Sequence, residues 1–323
     1  MEMNRRIVLR ARPQGLPRAT DFELAKSRVP EPAAGEMLVR VLYCSLDPAV
    51  RRWMDEDSYG TAIPLGGAIA CLVVGRVVRS HCEGFEAGDF VTGLGSVSDY
   101  AVMKPGGFTW KIDPAAAPSL TNHLSVLGAN GLTAYNGLLH VGRPRAGETV
   151  LVHGAAGGVG LACVDLAKVL GCKVIAASAS DAKLKVIADE YAPDAVVNVT
   201  GGFREKVKEI TGGLGADVIY DPVGGDVFDE SIRCIAFDGR LLVVGFTSGR
   251  IPNVSVNMPL IKGFSIMGVR AGEYGRQFPE KGRENSAAFL EANPDVMAKL
   301  EFVRDVGAST RLYDQVWTQV KAR

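Results

Sequence analysis

Hydrophobic and polar positions follow different patterns in the two parts of the chain. In the first third, valine-rich stretches with partial apolar-polar alternation are separated by turn residues such as Gly84, Gly88 and Gly106. Such stretches predict β-strands, and no long helical pattern interrupts them. We therefore expect a compact, mainly β unit, with strands at 37–44, 70–80, 89–94 and 100–103.

From about residue 120, buried-strand patterns alternate with helical ones. Residues 158–171 predict a helix, because Leu161, Val164, Ala167 and Leu170 share one side and Gly171 suits a helix end. Regular alternation predicts a parallel, doubly wound sheet, since parallel strands need crossover helices. The other predicted strands are 149–153, 173–177, 194–199, 216–221, 240–245 and 264–269, and the other predicted helices are 181–191, 203–212 and one from about 225.

The last forty or so residues, 283–323, are mostly polar and helix-like. Leu312, Val316 and Val320 recur every four residues, which predicts an amphipathic helix that packs on the body of the protein.

Composition narrows the class of protein. A chain of 323 residues is long for one core, so we expect about two domains. Lys plus Arg and Asp plus Glu both total 36, so net charge favours neither nucleic acid nor an anionic membrane as a partner.

The longest apolar stretch (67–78) is too short to cross a bilayer, and the arginine-rich start lacks a signal core. Six cysteines without a C-x-x-C pair suit reduced thiols, so we predict a cytoplasmic protein.

The stretch LVHGAAGGVG (151–160) places Gly154, Gly157 and Gly160 three residues apart, between a predicted strand and a predicted helix. Free amides in a first helical turn attract a pyrophosphate, and glycine lets the phosphates approach. A packing turn without chemistry is the alternative, but strand, turn, helix and second strand follow in the order that dinucleotide binding requires. The residues predicted to hold the pyrophosphate are Gly154, Ala155, Ala156, Gly157, Gly158, Val159 and Gly160.

The end of the second strand of this unit predicts the coenzyme. NAD-binding sites usually carry an acidic residue there, for the ribose 2′-hydroxyl. Here Ser178 stands eighteen residues after Gly160, and no carboxylate occurs before Asp181. A small hydroxyl with Lys183 nearby leaves room and charge for a 2′-phosphate, so we predict NADPH. The alternative is that Asp181 only caps its helix and Lys183 is only solvated.

Several stretches together resemble the medium-chain dehydrogenase/reductase superfamily: GFEAGDFV (84–91), GLTAYNGL (131–138), residues 144–176, DPVGG (221–225) and GRLLVVGF (239–246). The stretch SLDPAVRRWM (45–54) resembles the leukotriene B4 dehydrogenase, prostaglandin reductase and alkenal double-bond reductase branch. The second half is also similar to quinone oxidoreductases. The resemblance covers about residues 35–270.

This resemblance implies an α/β fold with two domains. A GroES-like, mainly β catalytic domain would comprise 1–118 and 271–323, and a Rossmann domain with a doubly wound parallel sheet would comprise 119–270. NADPH would lie in the cleft between them. The residues that the resemblance places near the nicotinamide are Thr133, Val223, Gly224, Gly245 and Phe246.

Many members of the superfamily carry zinc, and Cys44 stands plausibly where they keep a ligand cysteine. A zinc site needs three protein ligands. The matching region, LGGAIACLVVGRV (65–77), lacks the histidine of the G-H-E motif, and four closely spaced cysteines are absent. We interpret Cys44 as a small buried hydrophobe and His81 and Cys82 as surface residues, and we expect no metal.

Without a Lewis acid, the expected electrophile is one that accepts hydride conjugately. We therefore predict an NADPH-dependent reductase of quinones or of the C=C bond of α,β-unsaturated carbonyls. Tyr59 or the nicotinamide 2′-hydroxyl would donate a proton, and Asp47 and Arg51 would orient substrate or pair with each other.

Two departures from the reductase branch bear on this prediction. Ala49 stands where the branch has tyrosine, and GFTSGRIP (245–252) lacks a second one. The chain also ends WTQVKAR rather than with the strand usual in the family. One alternative is therefore a reductase of acyl thioesters such as enoyl-CoA, to whose phosphates Arg51, Arg52 and Arg276 would contribute. The other is a non-catalytic NADPH-binding protein, crystallin-like or redox-sensing. A homodimer through edge strands near 264–269 is also expected.

Overall fold

The computed structural model describes residues 3–55, 62–107, 109–115 and 117–277. These residues divide into two compact units, 3–124 and 125–277, each with its own core. No helix in the described part of the chain is long and apolar enough to cross a membrane. Tyr59 and the helix expected within 283–323 lie outside the described residues.

Antiparallel strands build the first unit. A five-stranded sheet has the order β6-β3-β4-β5-β7, and β1 and β2 form a separate pair. Its core contains Met37, Val39, Cys71, Val73 and Val91, none of which is exposed. The elements are β1 (Met3–Leu9), β2 (Phe22–Arg28), β3 (Met37–Cys44), α1 (Pro48–Trp53), β4 (Ala70–Ser80), β5 (Phe90–Ser96), β6 (Tyr100–Met103) and β7 (Trp110–Ile112), with 3-10 turns at Ala19–Asp21 and Leu120–Leu124.

A six-stranded sheet forms the centre of the second unit. Its order is β10-β9-β8-β11-β12-β13, and every neighbouring pair is parallel. This is the doubly wound order in which the first strand, β8, lies at the centre. The elements are α2 (Ala129–Tyr135), a π-helical turn (Asn136–Gly142), β8 (Thr149–Val152), α3 (Gly158–Val169), β9 (Lys173–Ser178), α4 (Asp181–Tyr191), β10 (Ala195–Asn198), α5 (Arg204–Ile210), β11 (Ala216–Asp221), α6 (Gly225–Cys234), β12 (Ile235–Val243), α7 (Asn257–Lys262), β13 (Ser265–Gly268) and α8 (Ala271–Gln277).

Both faces of this sheet are buried, which explains the apolar runs of its strands. Val150 and Val152 pack on one side with α3 and α4, whereas Leu151 packs on the other with Phe203 and Phe228. The predicted doubly wound parallel sheet and the separate mainly β unit are therefore confirmed.

The carboxyl-terminal part of the second unit differs from the expected division. Residues from 271 onward were expected to join the first domain, but α8 packs against α2 and the π-helical turn. Tyr274 of α8 stacks on His140 at 5.1 Å between ring centroids. The return of the remaining tail to the first domain stays a prediction, because residues 278–323 are not described.

Candidate coenzyme site and active-site residues

The glycine-rich stretch forms a tight turn after β8. Gly154 has a φ of +59°, a left-handed conformation that favours glycine. The amide of Ala155 donates to the carbonyl of Ala177 in β9 (3.0 Å), and the amide of Gly157 donates to the carbonyl of Gly154 (2.9 Å). Ala155 and Ala156 are buried in the core, so the turn is fixed to the sheet.

Helix α3 begins at Gly158, directly after this turn, and its first amides lack partners within the helix. The first intrahelical bond runs from the amide of Leu161 to the carbonyl of Gly157 (2.9 Å). The amides of Gly158, Val159 and Gly160 therefore face the helix end. Gly157, the N-cap, has no side chain to occupy them and is exposed. The turn thus offers a row of donors at the positive end of a helix dipole.

The loop after β11 lies against this turn. The buried Asp221 carboxylate accepts hydrogen bonds from the amides of Val223 (2.8 Å) and Gly224 (3.0 Å), which fixes the DPVGG turn. Burial raises the pKa of Asp221, and the two amides oppose that shift. A β-carbon on Gly154 would lie 3.7 Å from Val223, so the two loops touch.

The loop after β12 joins the same edge of the sheet. The amide of Thr247 donates to the carbonyl of Pro222 (3.1 Å), and a β-carbon on Gly245 would lie 3.2 Å from that carbonyl. The Phe246 ring borders Gly224 and is 38% exposed. The structure therefore brings together the predicted residues of the loops after β8, β11 and β12.

Thr133 belongs to α2. Its hydroxyl donates to the carbonyl of Ala129 (2.7 Å), and its carbonyl accepts from the hydroxyl of Tyr220 (3.0 Å). Burial raises the pKa of Tyr220 well above its ordinary value, so this phenol stays a neutral donor. Thr133 is thereby linked to β11.

Asn130, also on α2, is a candidate that the sequence analysis missed. Its Nδ2 atom would lie 2.8 Å from a β-carbon on Gly158, so the carboxamide rests against the first residue of α3. The half-buried side chain has no hydrogen-bond partner among the described residues. Asn130 precedes the glycine turn by more than twenty residues, and no sequence signal joins the two.

The predicted adenosine end lies at the carboxyl end of β9. Ser178 is 9% exposed, and its hydroxyl accepts a bond from the amide of Ser180 (3.4 Å). Lys183 is half-buried, and its ammonium group makes no ion pair with a described residue.

The alternative role for Asp181 as a helix cap is wrong. Ser180 is the N-cap of α4, with its hydroxyl accepting from the amide of Lys183 at 3.5 Å. The Asp181 carboxylate instead accepts a hydrogen bond from the side-chain Nδ2 of Asn198 (2.6 Å).

In the first unit, Arg51 does not pair with Asp47. Its guanidinium contacts the Asp55 carboxylate (2.6 Å) and the carbonyls of Pro13 and Gly15 (both 3.0 Å). Asp47 is the N-cap of α1, and its carbonyl accepts from the amide of Val50 (3.0 Å). These contacts give Arg51 a structural role, so the substrate-orienting roles of Asp47 and Arg51 stay predictions.

No three His, Cys, Asp or Glu side chains of the described residues are grouped so as to hold a metal ion. Cys44 is only partly buried, packs on the core of the first unit, and its thiol donates to the carbonyl of Ser96 (4.0 Å). His81 is exposed as expected, whereas Cys82 is half-buried.

Comparison with known proteins identifies the family. Residues 5–111 match the model of the N-terminal domain of oxidoreductase, and residues 158–287 match the model described as zinc-binding dehydrogenase. NADPH-dependent curcumin reductase of Escherichia coli is 33% identical over 304 residues, covering 88% of this chain and 85% of that protein. The chain belongs to the medium-chain dehydrogenase/reductase superfamily. Within it, the tobacco 2-alkenal reductase (NADP(+)-dependent) is 30% identical over 257 residues, 76% of this chain and 73% of that one.

A solved structure of this superfamily supports the same assignment. CurA from Vibrio vulnificus in complex with NADPH superposes with a TM-score of 0.78 at 28% identity, covering 92% of this chain and 96% of the other. The residues of the present chain fit such a coenzyme. The backbone amides at the start of α3 directly follow the exposed N-cap Gly157 and are free to bind a diphosphate. Ser178 stands at the position where NAD-binding sites carry a carboxylate.

Proposed function

We propose that this protein is an NADPH-dependent reductase that transfers hydride to a quinone or to the C=C bond of an α,β-unsaturated carbonyl compound. One observation carries the proposal: the first backbone amides of α3 have no partner within the helix, and they directly follow the exposed N-cap Gly157. The E. coli and tobacco relatives, named for curcumin and 2-alkenal reduction, support the substrate class.

The second unit would hold the coenzyme. The amides of residues 158–160 would bind its diphosphate, with the Asn130 carboxamide as a further donor at the same helix end. Ser178 and Lys183 would bind the 2′-phosphate, because one offers a hydroxyl and the other an unpaired ammonium group. The loops that contain Val223, Gly224, Gly245 and Phe246, together with Thr133, would border the nicotinamide.

NADPH, when bound, supplies the hydride. The protein must then stabilise negative charge on the substrate oxygen and deliver a proton. Tyr59 is our candidate for the proton, since a phenol both donates a hydrogen bond and transfers a proton. Asp47 and Arg51 are candidates for orienting the substrate. The contacts of Arg51 with Asp55 and the 13–15 backbone support an indirect role for it, through the position of α1.

A homodimer through the edge of the six-stranded sheet is part of the proposal. Strand β13 is the last strand in the sheet order, and its outer side lacks a strand partner among the described residues. Directly before β13 in the sequence, Val256, Leu260 and Ile261 at α7 are 89%, 83% and 69% exposed. Paired edges would cover these side chains. Sedimentation should show a dimer for the parent chain and a monomer for Leu260→Glu. A monomeric parent chain would refute the proposed homodimer.

Loss of NADPH absorbance tests the activity directly. The purified chain is mixed with NADPH and, in separate reactions, with 1,4-benzoquinone, an alkenal or crotonyl-CoA. We expect turnover with the quinone or the alkenal. NADPH binding without oxidation by any of the three would refute the reductase, and turnover of crotonyl-CoA alone would replace it with a thioester reductase.

A further inference from the structure

Two adjacent residues at the carboxyl end of β11 hold two different parts of the candidate coenzyme site. Tyr220 donates its hydroxyl to the carbonyl of Thr133 on α2 (3.0 Å). Asp221 accepts the amides of Val223 and Gly224. Both side chains are buried, and successive residues of a strand point to opposite faces of the sheet. The end of β11 therefore fixes α2 on one face and the DPVGG turn on the other.

The ring of Tyr220 lies against the π-helical turn that follows α2. A β-carbon on Gly137 would lie 2.7 Å from the ring and 3.1 Å from its oxygen, so any side chain at 137 would displace the phenol. Phenylalanine would fill the same space without a buried hydroxyl that needs a partner. The hydroxyl of Tyr220 therefore contributes to the position of α2 rather than to packing.

The carbonyl of Thr133 has a second partner. It also accepts the amide of Asn136, where α2 gives way to the π-helical turn. Removing the hydroxyl of Tyr220 would therefore leave this carbonyl hydrogen-bonded and the helix closed, and it would break a link between α2 and β11. The variant Tyr220→Phe thus separates the position of α2 from its folding.

The position of α2 matters because one face of this helix follows the candidate site. Asn130 and Thr133 stand three residues apart, so they share a face of the helix. The carboxamide of Asn130 rests against Gly158, at the start of α3. Thr133 lies one turn further along and is half-buried. A shift of α2 against the sheet would therefore move Thr133 relative to the amides of α3.

We propose that Tyr220 is a positioning residue for the nicotinamide end of the coenzyme, acting through Thr133. This inference rests on the proposed function, because it requires NADPH to bind along this edge of the sheet. Tyr220 is fully buried and acts only through the helix that it holds. Its influence is therefore confined to the part of the coenzyme that α2 borders, and the adenosine end, at β9 and α4, is unaffected.

Calorimetric titration of the full chain with NADPH and with adenosine 2′,5′-bisphosphate tests the proposal. The bisphosphate carries the 2′-phosphate and one phosphate of the diphosphate, but it lacks the nicotinamide. In Tyr220→Phe the Kd for NADPH should rise about fivefold, the equivalent of one neutral hydrogen bond, while the Kd for the bisphosphate should stay within about twofold of the parent value. The kcat at saturating NADPH should also fall, because a misplaced nicotinamide transfers hydride more slowly.

Tyr191→Phe is the matched control. Tyr191 is a buried tyrosine of α4 in the same core, and its loss of a hydroxyl should change neither affinity. Parent-like affinity for NADPH in Tyr220→Phe would overturn the proposal. Equal weakening of both ligands would also overturn it, since Tyr220 would then support the fold as a whole. A parent chain that binds neither ligand would instead refute the proposed function, and with it this role of Tyr220.

Discussion

A β-carbon on Gly160 would lie 2.2 Å from the carbonyl oxygen of Gly154. Helix α3 therefore rests directly on the turn that follows β8, and only a residue without a side chain permits this approach. The contact links the stability of the second unit to the shape of the coenzyme site.

Replacing Gly160 with alanine should destabilise the second unit. The added methyl group must push helix and turn apart, which costs about 1–3 kcal/mol of unfolding free energy for overpacking. Denaturant unfolding measures the change. Gly268→Ala is the matched control, because a β-carbon there meets nothing within 4 Å, and its effect should stay within about 0.5 kcal/mol. Equal stability of the two variants would contradict the close contact.

Gly157→Asp should separate stability from coenzyme binding. Aspartate is only a slightly better N-cap than glycine, so the free energy of unfolding should stay unchanged or rise by roughly a few tenths of a kcal/mol. The same carboxylate would repel a diphosphate, so the Kd for NADPH should rise at least about tenfold. The control is Gly157→Asn, which has a similar shape without the charge. An Asp variant that binds NADPH as tightly as the parent would refute the diphosphate position.

Lys183→Ala should reduce the preference for NADPH over NADH by about tenfold, because one charge-assisted contact to the 2′-phosphate is lost. The matched control is Lys185→Ala, since Lys185 lies on the same helix but pairs with Asp189 (2.8 Å). Affinities for both coenzymes, compared for parent and variants, provide the measurement. An equal loss of NADPH preference in both variants would show that Lys183 acts only as a general surface charge.

Asn130→Ala should weaken NADPH binding about fivefold, because the variant loses the unpaired carboxamide beside Gly158 as a hydrogen-bond donor. One such hydrogen bond contributes about 1 kcal/mol to the binding free energy. Asn130→Asp should weaken binding further, since it places a negative charge there. Thermal unfolding of both variants should match the parent, because the amide makes no hydrogen bond within the described chain. Unchanged affinity in the Asp variant would remove Asn130 from the site.

His153 should make the stability of the protein depend on pH. This histidine is buried, its Nε2 atom lies 2.8 Å from the Ser231 hydroxyl, and burial lowers its pKa from 6.5 to about 3. The unfolded chain binds a proton below pH 6.5, whereas the folded protein resists it. Stability is therefore present above pH 6.5 and falls progressively towards pH 3.

Denaturant unfolding as a function of pH measures this effect. The His153 contribution should approach about 1.4 kcal/mol per pH unit and should disappear in His153→Gln. The exposed His81 provides the control, because His81→Gln should retain the slope. A parent chain whose unfolding free energy has the same pH dependence as His153→Gln would show that His153 is not buried as a neutral group.

The sequence predicts the second unit well, because parallel strands buried on both faces are plain apolar runs between helical patterns. The first unit was predicted less completely. Strand β1 carries Arg5 and Arg6 beside its apolar residues, and Arg5 owes its place to a bidentate pair with Asp99 far along the chain. Strand β12 begins at Ile235 rather than 240, with a left-handed Asp238 within it, which no apolar pattern reveals.

The sequence likewise predicts one part of the candidate site and misses another. The glycine turn has a local signal, since one strand, one turn and one helix contain all of it. Asn130 meets Gly158 only through the packing of α2 on α3, and such tertiary contacts leave no trace in residue spacing. Arg51 of α1 pairs with Asp55, four residues on and just beyond the end of the helix, rather than with Asp47 at its start.

Calorimetric titration of the purified chain with NADPH and NADH tests the central claim most directly. We predict heat on addition of NADPH, one site per chain, and weaker binding of NADH because it lacks the phosphate that Ser178 and Lys183 would contact. The absence of binding by both reduced coenzymes would contradict the account.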